Sequence, residues 1–236
     1  MKREQVSDIG SPPPATPHYQ GHRERLRERY REAGAAALSD YELLELVLFA
    51  GIPRRDVKPL AKNLLAKFGS FADVLAAPPE KLSEFLGESA IVQLKIVEAA
   101  ALRLSRTRLL GKPALSSWSA LLDYCSAAMA RSETEEFRVL FLDRKNVLVA
   151  DEVQSEGTVD HAPVYPREII KRALALNASA LILAHNHPSG DPTPSRADIE
   201  MTREIVEAAR ALRIAVHDHI VIGRGGTASF KALGLL

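Results

Sequence analysis

Two histidines one residue apart, His185 and His187, are the residues whose types and spacing most directly suggest chemistry. They follow the apolar run "ALILA" and precede a loop with three prolines, after which come Ser195 and Asp198. Because side chains two apart on a strand point to the same face, both imidazoles can reach one metal ion, with nitrogen–metal distances of about 2.0–2.1 Å. Two histidines, one carboxylate and an open fourth position are the arrangement of catalytic zinc sites. The spacing therefore predicts a metal site at the end of a buried strand.

The same residues also have a purely structural interpretation. Ser195 and Asp198 form a Ser-x-x-acid pattern, which is typical of a capping box, and a carboxylate is favourable at a helix N-terminus because of the helix dipole. Taken alone, this pattern favours a helix cap over a metal ligand, and a His-x-His pair on a strand is also a weak signal. The two patterns together, on either side of a tight loop of prolines and glycine, favour the metal site.

The stretch "HNHPSGDPTPSRAD" resembles the JAMM motif of the MPN-domain metalloproteases, in which H-x-H-P is followed by a spacer and S-x-x-D. The longer segment "VYPREIIKRALALNASALILAHNHPSGDPTPSRADIEMT" is similar to the bacterial RadC-like proteins, over residues 114–236 and more weakly over the N-terminal half. The resemblance implies that His185, His187 and Asp198 bind one Zn²⁺ per chain and that Ser195 stabilises an oxyanion. It implies a zinc-dependent hydrolase of JAMM type, which cleaves a peptide or isopeptide bond in a protein or peptide substrate with a zinc-activated water.

The resemblance also implies a general base, a glutamate at the junction of the first helix and the first strand. In this sequence the junction is "RSETEEFRVLFLD", where Glu133, Glu135 and Glu136 compete. RadC-like sequences tend to carry the acid two residues before the aromatic residue, which selects Glu135. Strand alternation agrees if Phe137 and Val139 face one side, because Glu135 then shares that side and Glu136 does not. The alternative is that all three glutamates form a solvated acidic helix end.

A second histidine pair, His217 and His219 in "VHDHIVIG", has the same strand spacing. The resemblance assigns the metal to the first pair, so we interpret His217 as a core or surface residue. Asp218 and His219 have two interpretations, either as ordinary structural residues or as a pair that supports the metal ligands or faces substrate. The sequence leaves the role of His219 open.

The hydrophobic pattern indicates the elements that carry these residues. Residues 1–20 are polar and contain "SPPP", which predicts a disordered tail. Residues 22–110 predict a small helical bundle with amphipathic segments. Residues 114–236 follow the order α-β-β-α-β-α-β, which predicts an α/β sheet domain with flanking helices, and the resemblance implies an MPN/JAB-like (cytidine-deaminase-like) mixed sheet. Its strands include "NVLVADEVQSEGTV" and "ALILAH", the second of them buried on both faces.

The N-terminal half could bind DNA, because RadC-like proteins are often labelled as DNA-repair proteins and their helical half resembles a helix-hairpin-helix module. Such a hairpin presents backbone N–H groups to a phosphate. The corresponding stretch, "KLSEFLGESAIVQLK", has one glycine, Gly87, and then Glu88, where a second glycine is usual. We therefore describe it as a degenerate module, with DNA binding as one hypothesis and substrate recognition or dimerisation as the other. Basic residues lie nearby at Lys81, Lys95, Arg103, Arg106 and Arg108.

Composition bounds the class of protein. The 236 residues are 46% hydrophobic and carry a net charge of +1, which is ordinary for a globular protein and does not by itself indicate nucleic acid. No apolar run approaches the roughly 18 residues of a membrane span, and the N-terminus has no apolar core of a secretory signal. With one cysteine, Cys125, no intrachain disulfide or thiolate cluster can form. We expect a cytoplasmic protein without membrane contact, and the oligomeric state stays open.

Overall fold

The structure, a computed structural model, describes residues 21–156 and 164–236. The tail predicted over residues 1–20 and the last part of the strand predicted over residues 146–159 lie outside the described residues. The chain divides into two compact units. The first comprises the described residues up to Val74 together with Glu80–Leu94, and the second comprises Leu75–Pro79 and Lys95–Leu236. Of the helices within the described ranges, none combines the length and the apolar character needed to cross a membrane.

Helices dominate the chain up to residue 107. Helix α2 begins at a capping box, in which the backbone N–H of Ser39 donates to the Glu42 carboxylate at 3.0 Å. The apolar core of the first unit includes the fully buried Leu44, Leu48 and Leu64. The helices are α1 (His22–Ala33), α2 (Asp40–Gly51), α3 (Lys58–Phe68), α4 (Phe71–Ala76), α5 (Pro79–Leu82) and α6 (Glu88–Thr107), with a 3-10 turn at Ala35–Ala37.

The second unit is a five-stranded mixed sheet with helices on both faces. The α-helices that follow α6 in this unit are α7 (Trp118–Met129), α8 (Pro166–Ala175) and α9 (Arg196–Ala211). Its strands are β1 (Glu136–Leu142), β2 (Leu148–Glu156), β3 (Ala180–Asn186), β4 (Ala215–Gly223) and β5 (Gly226–Ser229). The strand order is β2-β1-β3-β4-β5, in which only the β3–β4 pair is parallel among the described strands. The predicted mixed α/β class is confirmed.

The last strand, β5, is absent from the predicted element order. It is short, begins with a glycine and pairs antiparallel with the end of β4, where Ile220 lies opposite Ser229. A run of four small residues has neither the alternation nor the β-branched content that indicates a strand. Its pairing with β4, and not its own propensity, therefore stabilises it.

Strand β3 lies at the centre of the sheet, and all seven of its residues are buried, as the continuous apolar run predicts. Leu181 and Leu183 point into the apolar core beneath α8 and α9, whereas Ile182 and Ala184 point into the core beneath α7. This alternation assigns His185 to the α8–α9 face of the sheet.

Candidate metal centre

The two histidines of the predicted site lie at the carboxyl end of β3. His185 is the sixth residue of the strand and is fully buried, and the chain continues in register for one more residue, because the backbone N–H of His187 donates to the Ile222 carbonyl at 2.8 Å. Since the two side chains are two residues apart, they point to the same face. Their Nε2 atoms lie 3.0 Å apart.

The loop after His187 turns back against the β4–β5 turn. The backbone N–H of Gly225 donates to the Gly190 carbonyl at 3.1 Å, and a Cβ atom on Gly223 would lie only 2.2 Å from that same carbonyl oxygen. Gly190 itself has a φ of 90°, which favours glycine. Glycine at position 223 therefore allows the backbone contact that returns the chain to helix α9.

Asp198 fits both interpretations of the sequence, because it belongs to a helix capping box and also faces the two histidines. The Ser195 backbone N–H donates to Asp198 Oδ2 at 2.7 Å and the Asp198 N–H donates to Ser195 Oγ at 3.1 Å, so the capping box is present. The same carboxylate faces the histidines, with Oδ1 3.3 Å from His185 Nε2 and Oδ2 3.3 Å from His187 Nε2. The capping box thus holds the carboxylate in the orientation that a metal ligand would need.

The electrostatic surroundings keep this carboxylate ionised. Burial acts to raise the pKa of Asp198, but the hydrogen bond and the charge of a His185 ring in its protonated form, together with the hydrogen bonds from Ser195, outweigh burial and hold the pKa well below its usual range. An ionised carboxylate beside two imidazoles is a negative site with strong donor atoms, which suits a cation.

His187 presents a lone pair to the cluster. Its Nδ1 lies 2.8 Å from the Asp191 carbonyl oxygen, which can only accept a hydrogen bond. A neutral His187 therefore carries its proton on Nδ1 and a lone pair on Nε2, the atom that faces His185 and Asp198. The side chain of His187 is 16% exposed, so solvent reaches this side of the cluster.

The three donor groups fit a metal ion. Ligand atoms that surround Zn²⁺ tetrahedrally at about 2.0–2.1 Å lie about 3.3 Å from one another. The two Nε2 atoms lie 3.0 Å apart, each lies 3.3 Å from a different oxygen of Asp198, and one ligand atom from each residue lies within 4.8 Å of the others. His185, His187 and Asp198 thus form a cluster that could hold a metal ion, with two nitrogen ligands and one oxygen ligand.

Ser195 lies at the N-terminus of α9 and is exposed to solvent. Its Oγ accepts the capping bond from the Asp198 N–H, and its hydroxyl also hydrogen-bonds to the Asp198 carboxylate. The predicted role requires this hydroxyl to donate instead to a ligand next to the cluster, and it stays a prediction.

Glu135 lies one residue before β1, is half-buried and forms neither a hydrogen bond nor an ion pair with the described residues. In the antiparallel register Phe137 pairs with His185, so Glu135 and His187 both lie beyond the same end of the β1–β3 ladder. Phe137 stacks on the His185 ring at 6.3 Å between centroids, which identifies its face of the strand. Because residues two apart on a strand share a face, Glu135 lies on the same face as Phe137 and His185.

The other two glutamates are already engaged. Glu136 accepts from Arg138 Nη2 at 2.7 Å on the α7 face of the sheet, and Glu133 is not free of partners either. Asn186, between the two histidines and 1% exposed, accepts from the Glu136 N–H at 2.8 Å and donates to the Thr134 carbonyl at 3.0 Å. These two bonds fix the backbone on both sides of Glu135.

His219 and Thr202 lie on the Nδ1 side of His185, away from the Asp198 carboxylate, and the sequence did not indicate Thr202. His219 Nε2 lies 2.8 Å from His185 Nδ1, and Thr202 Oγ1 lies 2.6 Å from His219 Nδ1. Burial, together with the charge that His185 carries in its protonated form, lowers the pKa of His219 well below its usual value. The sequence left His219 open, and it gave no signal for Thr202, because a helical threonine four residues after an aspartate is common.

The other residues of the second histidine pair have structural roles. His217 Nε2 lies 2.6 Å from the Asn146 side-chain oxygen, away from the cluster, in agreement with its interpretation as a core or surface residue. Asp218 is 3% exposed and accepts from the backbone N–H groups of His219 and Lys231 and from the Ser229 hydroxyl. Its carboxylate therefore ties β4 to the segment that follows β5.

Comparison with known proteins points to one family for both parts of the chain. Residues 115–235 match the family described as "RadC-like JAB domain", and residues 20–92 match the family "UPF0758 N-terminal". A UPF0758 protein of Rhodobacter capsulatus is 66% identical over 213 residues, which cover 89% of this chain and 100% of that protein. A UPF0758 protein of Ruegeria pomeroyi is 62% identical over 217 residues, which cover 91% of this chain and 97% of that protein.

Proposed function

This chain belongs to the RadC family of JAB-domain proteins, and we propose that it is a zinc-dependent hydrolase of JAMM type that cleaves a peptide or isopeptide bond in a protein or peptide substrate. The observation that carries the proposal is the convergence of three donor groups, with separations of 3.0, 3.3 and 3.3 Å between facing atoms of His185, His187 and Asp198. Two histidines and one carboxylate are the ligand set of several catalytic zinc sites.

The residues of the cluster divide between holding the metal and handling the substrate. His185, His187 and Asp198 would hold Zn²⁺, which when bound lowers the pKa of a coordinated water and polarises a carbonyl oxygen. Glu135, whose carboxylate has no partner among the described residues, accepts a proton from the attacking water and delivers it to the leaving amine. The Ser195 hydroxyl donates to the oxygen on which negative charge develops.

Glu135 is a better general base than its neighbours because its carboxylate is available. The Glu136 carboxylate accepts two hydrogen bonds from the Arg138 guanidinium and is therefore already occupied on the α7 face. The Asn186 bonds to the backbone of Thr134 and Glu136 hold the chain around Glu135, so the carboxylate needs little reorganisation before it acts.

Activity is tested with zinc-loaded protein, fluorescence-quenched peptide libraries and peptides joined through a lysine isopeptide bond. We expect wild type to cleave some of these substrates and Glu135→Gln to lose about 10²–10⁴-fold in kcat while it keeps its zinc. Glu133→Gln is the matched control, two residues away in the same acidic segment, and should cleave as wild type does. Equal turnover by Glu135→Gln and wild type, or no cleavage by zinc-loaded wild type, would contradict the proposal.

The alternative, a DNA-associated accessory or repair protein with a non-catalytic or structural metal site, has weaker support. Helix α6 begins at Glu88, and an acidic side chain in the first turn repels a phosphate that would otherwise bind there. The family membership of the chain is compatible with either activity, and the convergence of the three donor groups favours the hydrolase.

A further inference from the structure

A chain of hydrogen bonds leads from helix α9 to the inner side of His185. The Thr202 hydroxyl donates to the Asp198 carbonyl oxygen at 2.5 Å, one turn earlier in the helix. Thr202 Oγ1 also lies 2.6 Å from His219 Nδ1, and His219 Nε2 lies 2.8 Å from His185 Nδ1. Thr202 is 1% exposed and both histidines are fully buried, so water is excluded from these bonds.

The direction of each bond follows from the protons that the side chains carry. A threonine hydroxyl has one proton, and that of Thr202 is donated to the Asp198 carbonyl, so its oxygen accepts from His219 Nδ1–H. A neutral imidazole protonated on Nδ1 has its lone pair on Nε2, so His219 accepts from His185 Nδ1–H. His185 is then left with a lone pair on Nε2, the atom 3.3 Å from Asp198 Oδ1.

We infer that Thr202 and His219 are positioning residues that fix the tautomer and the ring orientation of His185. We call this pair the Thr202–His219 relay. Their effect is that the Nε2 lone pair of His185 faces the cluster before any ion binds. The relay starts at the backbone of Asp198 and ends at the ring that faces the Asp198 carboxylate. One candidate ligand is thus hydrogen-bonded, through two intermediate side chains, to the backbone of another.

The surroundings of His219 leave no substitute for these bonds. The Phe137 and Phe230 rings lie 5.5 and 4.6 Å from the His219 ring between centroids, and both phenylalanines are fully buried. Because these walls are apolar, a partner removed from the relay cannot be replaced by solvent. A His185 ring without its Nδ1 acceptor can adopt the other tautomer, in which the proton on Nε2 would block the metal.

Two substitutions of Thr202 distinguish a hydrogen-bonding role in the relay from a role in packing alone, through their effect on zinc affinity. Thr202→Val keeps the volume and removes the hydroxyl, whereas Thr202→Ser keeps the hydroxyl and removes a methyl group. We expect the zinc affinity, measured by competition with a chromophoric chelator, to fall by about 10–100-fold in Thr202→Val and to stay near wild type in Thr202→Ser. A packing role would give the opposite order, because only the serine variant leaves a cavity. His217→Gln, on the same strand but bonded to Asn146, is the matched control.

The tautomers are measured directly in metal-free wild type by long-range ¹H–¹⁵N correlation of the histidine rings. We expect His185 and His219 to carry their protons on Nδ1. An Nε2 proton on His185, or a Thr202→Val variant that binds zinc as tightly as Thr202→Ser, would overturn the relay. The affinity comparison rests on the proposed metal site, but the tautomer measurement does not. A wild type that binds no zinc would therefore contradict the proposed function and leave the relay to be decided by the tautomers.

Discussion

The two faces of the sheet carry different polar clusters. On the α7 face, Arg138 lies between the Glu136 and Asp151 carboxylates. On the α8–α9 face, His185, His187 and Asp198 lie together, and no lysine or arginine of the described chain pairs with them. The two clusters are one residue apart along the paired strands β1 and β3, because Arg138 pairs with Ala184 and Phe137 pairs with His185. Both bury charged or strongly polar groups within one sheet. They differ in whether the chain itself supplies the cation.

The cluster on the α7 face, named below the arginine cluster, supplies its own cation. Arg138 Nη1 donates to both Asp151 oxygens at 2.9 and 3.0 Å, its Nη2 donates to Glu136 at 2.7 Å, and the Tyr124 hydroxyl donates to Asp151. Burial acts to lower the pKa of Arg138, but Asp151 and Glu136 outweigh it and hold the pKa above its usual value. The arginine cluster is therefore a closed structural unit.

The cluster of His185, His187 and Asp198 is open by comparison. Its facing atoms are acceptors, two imidazole Nε2 atoms and a carboxylate, at separations that leave room for one ion. Acceptors that face each other without a donor or a cation repel. Buried charge alone therefore does not identify a functional site, whereas a buried acceptor cluster to which the described residues offer no lysine or arginine does point to a ligand.

The largest effect is expected from removal of the cation of the arginine cluster. Arg138→Met leaves Asp151, whose side chain is 1% exposed, without its main partner, and we expect the free energy of unfolding to fall by about 3–5 kcal/mol. Urea denaturation followed by circular dichroism measures the loss. Arg172→Met is the matched control, because Arg172 also binds a carboxylate, Glu152, with two nitrogens but at the surface. Equal losses in both variants would contradict the structural role of the arginine cluster.

Zinc is expected to stabilise only through the open cluster. At a free zinc concentration of about 100 times Kd, the unfolding free energy of wild type should rise by about 2.7 kcal/mol, because the ion binds the folded state. Asp198→Asn should lose most of this gain and Asp151→Asn should keep it, and thermal unfolding with and without zinc measures both. A zinc-dependent gain that survives in Asp198→Asn would show that the ion binds elsewhere.

The loop that carries His187 to helix α9 should be sensitive to one methyl group. In Gly223→Ala the new Cβ would lie 2.2 Å from the Gly190 carbonyl oxygen, so the backbone must shift, at a cost of about 1–3 kcal/mol. We expect a lower zinc affinity as well, measured by chelator competition, since His187 and Asp198 flank the loop. Gly87→Ala is the control, because a Cβ there meets no atom within 4 Å. An unchanged zinc affinity in Gly223→Ala would show that the loop does not position the ligands.

The smallest effect should separate the two aspartates in metal-free protein at about pH 8, above the ordinary pKa of histidine. Asp198→Asn should change the unfolding free energy by no more than about 0.5 kcal/mol, because the asparagine side-chain oxygen can still accept from the Ser195 N–H in the capping box. Asp151→Asn should cost about 1–3 kcal/mol, because the Arg138 guanidinium and the Tyr124 hydroxyl lose an acceptor. Urea denaturation of both variants measures the difference, and a larger loss in Asp198→Asn would reverse the comparison.

The sequence was sufficient for features that depend on local spacing. The approach of His185 to His187 follows from strand alternation, and the capping box at Ser195 and Asp198 follows from their separation by three residues. The buried central strand follows from one continuous apolar run. Each of these features involves residues within a few positions of each other, where backbone geometry fixes the outcome.

Features that depend on pairing between distant strands could not be predicted. The contact between His185 and His219 requires the parallel register of β3 with β4, which includes an irregularity between Leu181 and Ile182. Thr202 reaches His219 only because helix α9 packs over that pair. The arginine cluster requires the β1–β2 register, which is shifted between Phe137 and Arg138. A single sequence carries little information on such registers.

The most direct test of the open cluster is the zinc content of purified protein, measured by elemental mass spectrometry for wild type, His187→Ala and His217→Ala. We expect about one zinc per chain in wild type and in His217→Ala, whose histidine bonds to Asn146, and none in His187→Ala. Absence of zinc from wild type even after zinc is supplied, or equal zinc in wild type and His187→Ala, would contradict the central claim that these three side chains form a metal site.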